Sequence, residues 1–225
     1  MTKIKVDVWS DIACPWCYIG KRKLENAIAQ FEQSGNEVEV EYHSYLLNPA
    51  MPIDYEGSQR DYLAKHKGLP LTAVEQMSER VSQIAAAVGL NYDLENQIMT
   101  NTTLAHQLLH FAKEQGGVEK QSELKERLMS AHFVEAKHVG KVDVLADLAA
   151  EIGLDREAAK AALESGKYND AFEADLQQAR DYGISGVPFF VLNDKYGVSG
   201  AQESTTFLEA FEKLAEEQAE GQAGA

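Results

Sequence analysis

Cysteine is nearly absent from this sequence: of 225 residues, only Cys14 and Cys17 are cysteines. Two thiols exclude a scaffold built on several disulfides and any zinc site with three or four cysteine ligands. Long apolar runs are also missing. No uncharged apolar stretch reaches the roughly 18 residues that a membrane-spanning helix needs. Basic residues are scarce, with 21 Lys and Arg against 36 Asp and Glu and a net charge of −15. That balance disfavours nucleic acid and anionic lipid as bulk partners. The N-terminus, MTKIKVDVWSDIAC, alternates polar and apolar residues and has no apolar leader core. With Met1 as its start, the chain is expected in the cytoplasm, where thiols stay reduced and a CxxC pair is chemical rather than structural. No internal repeat is visible. The apolar share of 44% nevertheless suffices for a packed globular chain, so disorder is excluded.

What is present falls into three blocks. Lys3–Trp9 alternates, with Ile4, Val6 and Val8 on one side, and predicts a strand with one face in a core. Cys14-Pro15-Trp16-Cys17 then opens a helix carrying Tyr18, Leu24, Ile28 and Phe31 at helical spacing, with Pro15 tolerated in the first turn. A second strand is predicted from Val38 to about Leu47. From about Gly57 to Lys167 only helical periods recur: Tyr62–Lys65, Leu71–Val88, Thr102–Gln115, Lys120–Phe133, Val142–Ile152 and Asp155–Glu164. That block is long enough for a core of its own. The last block predicts a helix over Tyr168–Tyr182, a hairpin of Phe189–Leu192 and Tyr196–Ser199 turning at Asn193-Asp194-Lys195, and a helix over Glu203–Ala219 followed by a frayed end. The order is βαβ, helices, αββα. It predicts an α/β fold with a mixed four-stranded sheet: residues 1–50 and 168–225 form one discontinuous domain and 51–167 a helical insertion.

The chemistry is expected at the two thiols. CxxC motifs and helix N-termini both favour the thiolate, the reactive form. Cys14, at the helix start, is assigned as nucleophile; Cys17, one turn deeper, resolves the mixed disulfide. Pro15 and Trp16 lie beside the sulfurs, and Trp16 adds apolar surface. Two ordinary buried cysteines are the plain alternative, and half of a zinc site with His106 and His110 is another. A pair opening a helix after a strand fits redox chemistry better, so no metal is expected. His106 is kept as a candidate facing the thiols, and His110 is expected to be solvated. Pro188 stands at a strand start, where proline is permitted, and by itself does not announce a cis bond.

The segments VDVWSDIACPWCYIGKRKLE, NTTLAHQLLHFA and GISGVPFFVLNDKYGVSGAQ together resemble the DsbA-like thioredoxin superfamily, and within it the FrnE-type cytoplasmic oxidoreductases. The resemblance covers essentially the whole chain. It implies a thioredoxin fold, a cis-proline loop at Val187-Pro188 against the thiols, a helical lid, and exchange of protein or peptide disulfides without a bound cofactor. A bound peptide would pair with the Val187 backbone. Related kappa-class glutathione transferases and 2-hydroxychromene-2-carboxylate isomerases have serine at the first cysteine; Cys14 is retained here. Their glutathione positions correspond to Asn48, Val187, Ala201 and Gln202, which makes glutathione a candidate co-substrate. The chain departs from some FrnE-type members in lacking a further cysteine pair. Its Pro-Trp dipeptide, in place of Pro-His, implies a less oxidising couple than periplasmic DsbA. A glutathione-dependent isomerase or transferase acting on a small aromatic substrate, with Trp16, Tyr18, Phe189 and Phe190 as walls, is the competing function. A peptide-holding chaperone is a third. Monomer and homodimer are equally compatible with the pattern.

Overall fold

The computed structural model describes residues 1–223. Strand β1 (Lys3–Ser10) leads into helix α1 (Pro15–Glu32) and strand β2 (Glu37–Ser44). Five helices follow: α2 (Gln59–Lys67), α3 (Leu71–Ala87), α4 (Thr103–Phe133), α5 (Val142–Glu151) and α6 (Arg156–Glu164). Helix α7 (Asn169–Asp181), the hairpin β3 (Phe189–Leu192) and β4 (Tyr196–Ser199), and helix α8 (Ser204–Ala223) complete the chain. The sheet order is β2-β1-β3-β4, with β1 and β2 parallel and the other pairs antiparallel. The hairpin turns through Asn193-Asp194-Lys195, with Asn193 and Asp194 left-handed at φ of 48° and 54° and the Lys195 N–H donating to the Leu192 carbonyl at 2.9 Å.

One sheet face packs Ile4, Val6 and Val8 against Leu24, Ala27 and Phe31 of α1 and Phe207, Phe211 and Leu214 of α8. The other face is covered too. Trp9 is buried with Ala179, Ile184 and Val191, and its Nε1 donates to the Asp175 carbonyl at 3.3 Å. The alternation of β1 therefore does not separate core from solvent, because α7 closes the second side. Edge strand β2 is clasped by α4: Gln121 accepts from the Tyr42 N–H at 2.9 Å and donates to its carbonyl at 2.8 Å.

Several expected boundaries move. Strand β2 stops at Ser44, because the Ser44 and Leu47 N–H groups leave the sheet for Asp175 and Asp11. Helix α2 is longer than its apolar period, since Ser58 caps it by accepting from the Asp61 N–H at 3.0 Å. Gly116 and Gly117 break α4 where the two helical periods part: both leave helical geometry, with Gly117 at φ 73°, so α4 is two helices joined across a kink. Helix α8 remains helical through Ala223, beyond the expected fray, and the last two residues lie outside the described ones. The apolar cluster of the helical block, with Leu108, Leu124, Leu128 and Phe133, is distinct from the cluster on the sheet and takes in Ile12, Cys14, Cys17, Tyr18 and Ile19 from around the start of α1.

Candidate active site

Cys14 is the residue before the first turn of α1, extended at φ −95° and ψ 112°, and Pro15 occupies the first helical position. No side chain caps this end and no acidic residue lies in the first turn. The free N–H groups and positive helix end are thus left to the sulfur. The Cys17 N–H donates to the Cys14 carbonyl at 3.0 Å, which places the second thiol one turn below the first. Both cysteines are free, and both are nearly buried, at 4% and 3% exposure. The first sulfur is therefore less open than a surface nucleophile.

The Val187–Pro188 peptide is cis and brings the Val187 carbonyl to 3.6 Å from Cys14 Sγ, which donates to it. Close approach depends on Gly20 of α1: a Cβ there would lie 3.1 Å from Pro188 Cγ. Cys14 and Val187 both line a cleft of about 380 Å³ between the α1 start, the loop after β2, and helices α2 and α3. Trp16, Leu47, Met51, Met77 and Val81 give it apolar walls.

A family model described as the DsbA-like thioredoxin domain matches residues 5–212. The protein YwbO of Bacillus subtilis is 31% identical over 213 residues, covering 92% of this chain and 95% of its own. The chain belongs to the DsbA-like thioredoxin family. A solved family structure, described as a probable DsbA oxidoreductase, SCO1869, from Streptomyces coelicolor, superposes with a TM-score of 0.84 at 36% identity, covering 92% of this chain and 88% of that one. The fold is shared more distantly with the cytosolic disulfide reductase DsbM of Pseudomonas aeruginosa, at TM-score 0.60 and 18% identity over 94% of this chain and 98% of that one. DsbM has also been solved with glutathione.

In this DsbA-like protein the loop before the thiols hangs on one carboxylate. Asp11, fully buried, accepts from the Leu47 N–H at 2.8 Å, Thr102 Oγ1 at 2.7 Å, the Ala13 N–H at 3.1 Å and His106 Nε2 at 3.3 Å. Burial pushes its carboxyl up, but His106 and the other donors outweigh this and hold it at about 2. From the loop between α3 and α4, Tyr92 donates to the Pro15 carbonyl at 2.7 Å. Burial raises the Cys17 thiol well above its ordinary range, and its hydrogen bond with Cys14 adds to this.

The sequence-based candidates divide. Trp16, Pro15, Asn48 and Val187 line the cleft with Cys14, and Asn48 donates to the Tyr62 hydroxyl at 2.9 Å. His106 is fully buried behind Asp11, so it reaches the site through that carboxylate rather than by touching a ligand. His110 is not solvated; it pairs with Asp175 at 3.1 Å. Ala201 and Gln202 stand beyond the hairpin, outside the cleft. The Ala201 carbonyl accepts from Lys23 Nζ at 3.3 Å, and Gln202 donates to the Ser199 carbonyl at 2.8 Å. Tyr18 and Phe190 are core residues, at 2% and 0% exposure, and Phe189 is half-buried against Trp9 and Val191, so Trp16 is the expected aromatic wall that lines the cleft. Asp11, Gly20 and Tyr92 carry no periodic or spacing signal, and of the three Asp11 and Gly20 stand inside the VDVWSDIACPWCYIGKRKLE segment.

Proposed function

We propose that this protein is a thiol–disulfide oxidoreductase that exchanges disulfides of protein or peptide substrates through Cys14 and Cys17, with glutathione as a candidate co-substrate. The observation that carries the reading is the placement of Cys14 Sγ, at the uncapped start of α1, lining the cleft and 3.6 Å from the Val187 carbonyl. In the reductive direction, the Cys14 thiolate attacks a substrate disulfide, bonds one sulfur and expels the other as a thiolate. Cys17 then attacks Cys14 Sγ, closing the internal disulfide and releasing the second substrate thiolate. The substrate gains two electrons and the cysteine pair loses them. In the oxidative direction the same steps run backwards. The Val187 backbone beside cis-Pro188 offers extended pairing to a peptide, and Trp16 and Asn48 form the cleft wall.

Cys14→Ser should abolish reduction of insulin disulfides, and Cys17→Ser should accumulate mixed disulfides with substrate. Full reductase activity in Cys14→Ser would sink the reading. Titration against glutathione then assigns the direction: a potential near the cytosolic pool marks a reductase or isomerase, a much higher one an oxidase. The cleft volume of about 380 Å³ lies in the small-ligand range and favours a second reading, glutathione-dependent isomerisation or transfer on a small aromatic molecule. Turnover retained by Cys14→Ser would select it.

A further inference from the structure

Behind the thiols, away from the cleft, lies a lysine that the exchange steps above do not use. Lys125 of α4 is completely buried, at 0% exposure. It forms no salt bridge among the described residues. Its Nζ donates to the Ser10 carbonyl at 3.3 Å and stands 5.6 Å from the centre of the Tyr42 ring. A buried ammonium without a carboxylate costs several kcal/mol by desolvation alone, so its retention at this place calls for a role. The Ser10 carbonyl belongs to the same peptide unit as the Asp11 N–H. That N–H acts on the Cys17 sulfur and favours its thiolate. One peptide unit thus has a cation on its oxygen, while its N–H favours the thiolate of the resolving cysteine.

We infer that Lys125 is a positioning residue for the second half of the exchange, supplying from behind the site the positive charge that favours the Cys17 thiolate, through space and through the Ser10–Asp11 peptide unit. The inference rests on the proposed thiol–disulfide function. The need is physical: Cys17 is sealed at 3% exposure, and bulk water does not stabilise its anion there. The charged or titratable groups around Lys125 are Cys14, Cys17 and Lys21 of α1, Asp11 of the preceding loop, Tyr42 of β2 and His106 of α4 itself. Burial lowers the Lys125 ammonium to about 8, while Cys17, Asp11 and Cys14 pull the other way. It therefore carries its charge at neutral pH. The step balances as follows. The Cys17 proton leaves to a base in solution; Cys17 Sγ bonds Cys14 Sγ; the bond from Cys14 to the substrate sulfur breaks; the substrate leaves as thiolate with the electron pair. The organic disulfide supplied as substrate is the oxidant.

The test uses the full chain with Cys14 carried as its mixed disulfide with thionitrobenzoate, following release of the coloured thiolate by Cys17 across pH. Lys125→Met should slow release about tenfold at neutral pH and move the pH midpoint up by about one unit. Melting temperature should hold or rise, because an unpaired buried charge is gone. Lys125→Arg should keep the wild-type midpoint, and Lys125→Gln repeats the neutral comparison if methionine disturbs folding. A wild-type rate and midpoint in the neutral variants would overturn the inference, as would an equal midpoint shift in Lys125→Arg, which would assign the effect to packing. If wild type itself never releases thionitrobenzoate, the thiol–disulfide function fails instead.

Discussion

Two buried clusters of histidine and aspartate lie in this protein, and they hold His106 and His43 in opposite charge states. Beside the thiols, His106 offers Nε2 to Asp11 at 3.3 Å, and its Nδ1 has no partner among the described residues. Asp11 meanwhile spreads its charge over three other donors. Burial lowers the His106 imidazolium and this one shared carboxylate does not offset it, so the ring is neutral. At the end of β2, His43 lies between Asp7 at 2.7 Å and Asp175 at 2.9 Å, stacked on Trp9 at 4.5 Å. Both of its nitrogens face carboxylates, which requires two donors and therefore the imidazolium. Burial would lower it, but hydrogen bonds to Asp175 and Asp7 outweigh burial and hold it up at about 9. The difference is one of carboxylate count. A single carboxylate already crowded with donors organises a loop, whereas two aimed at one ring create a fixed cation that ties α7 to the sheet.

The largest effect is expected where the two roles coincide. Asp11→Asn leaves an amide NH₂ among four donors and should cost about 3 kcal/mol of stability. Because Asp11 also sets the loop before Cys14 and anchors Leu47 at the cleft, disulfide exchange should slow about tenfold to a hundredfold in the folded fraction. Denaturant unfolding and insulin reduction, measured on the same sample, check both halves. If exchange is unaffected, Asp11 is only a structural carboxylate and the contrast collapses. Asp175→Asn is expected to separate the roles. It should also lose about 3 kcal/mol, from the broken contacts to His43, His110 and the Ser44 N–H, yet leave exchange per folded molecule unchanged. A slowed exchange in this variant would show that the two clusters are coupled.

The smallest effect is a pH dependence. The His43 value is raised from 6.5 to about 9 on folding, so its contribution is complete below about pH 6.5 and is lost as pH rises through about 9. The melting temperature should fall by about 5 °C between pH 6.5 and 9.5, and this slope should flatten in Asp175→Asn. The thiol-side pair behaves in the opposite sense. Asp11 is depressed from 3.8 to about 2, so its contribution holds above about pH 3.8 and is lost as pH falls through about 2. An alkaline melting curve that stays flat in wild type would remove the charged His43 from the contrast.

The chain by itself determined the elements that local pattern can specify. A period-two strand, a CxxC with proline at the first helical position, and an Asn-Asp turn between two short strands were all legible, because each is set by neighbours a few residues apart. The cysteine pair and the strand–helix context around it located the candidate site for the same reason. Only the tertiary structure decided what surrounds that site. It set the buried Lys125 on the Ser10 carbonyl, hung the loop before Cys14 on Asp11, and closed both faces of β1. It also buried His106, which helical spacing alone left free to face a ligand. Those contacts join residues far apart along the chain. Their energies come from desolvation, packing and carboxylate count, and none of these leaves a period in the sequence.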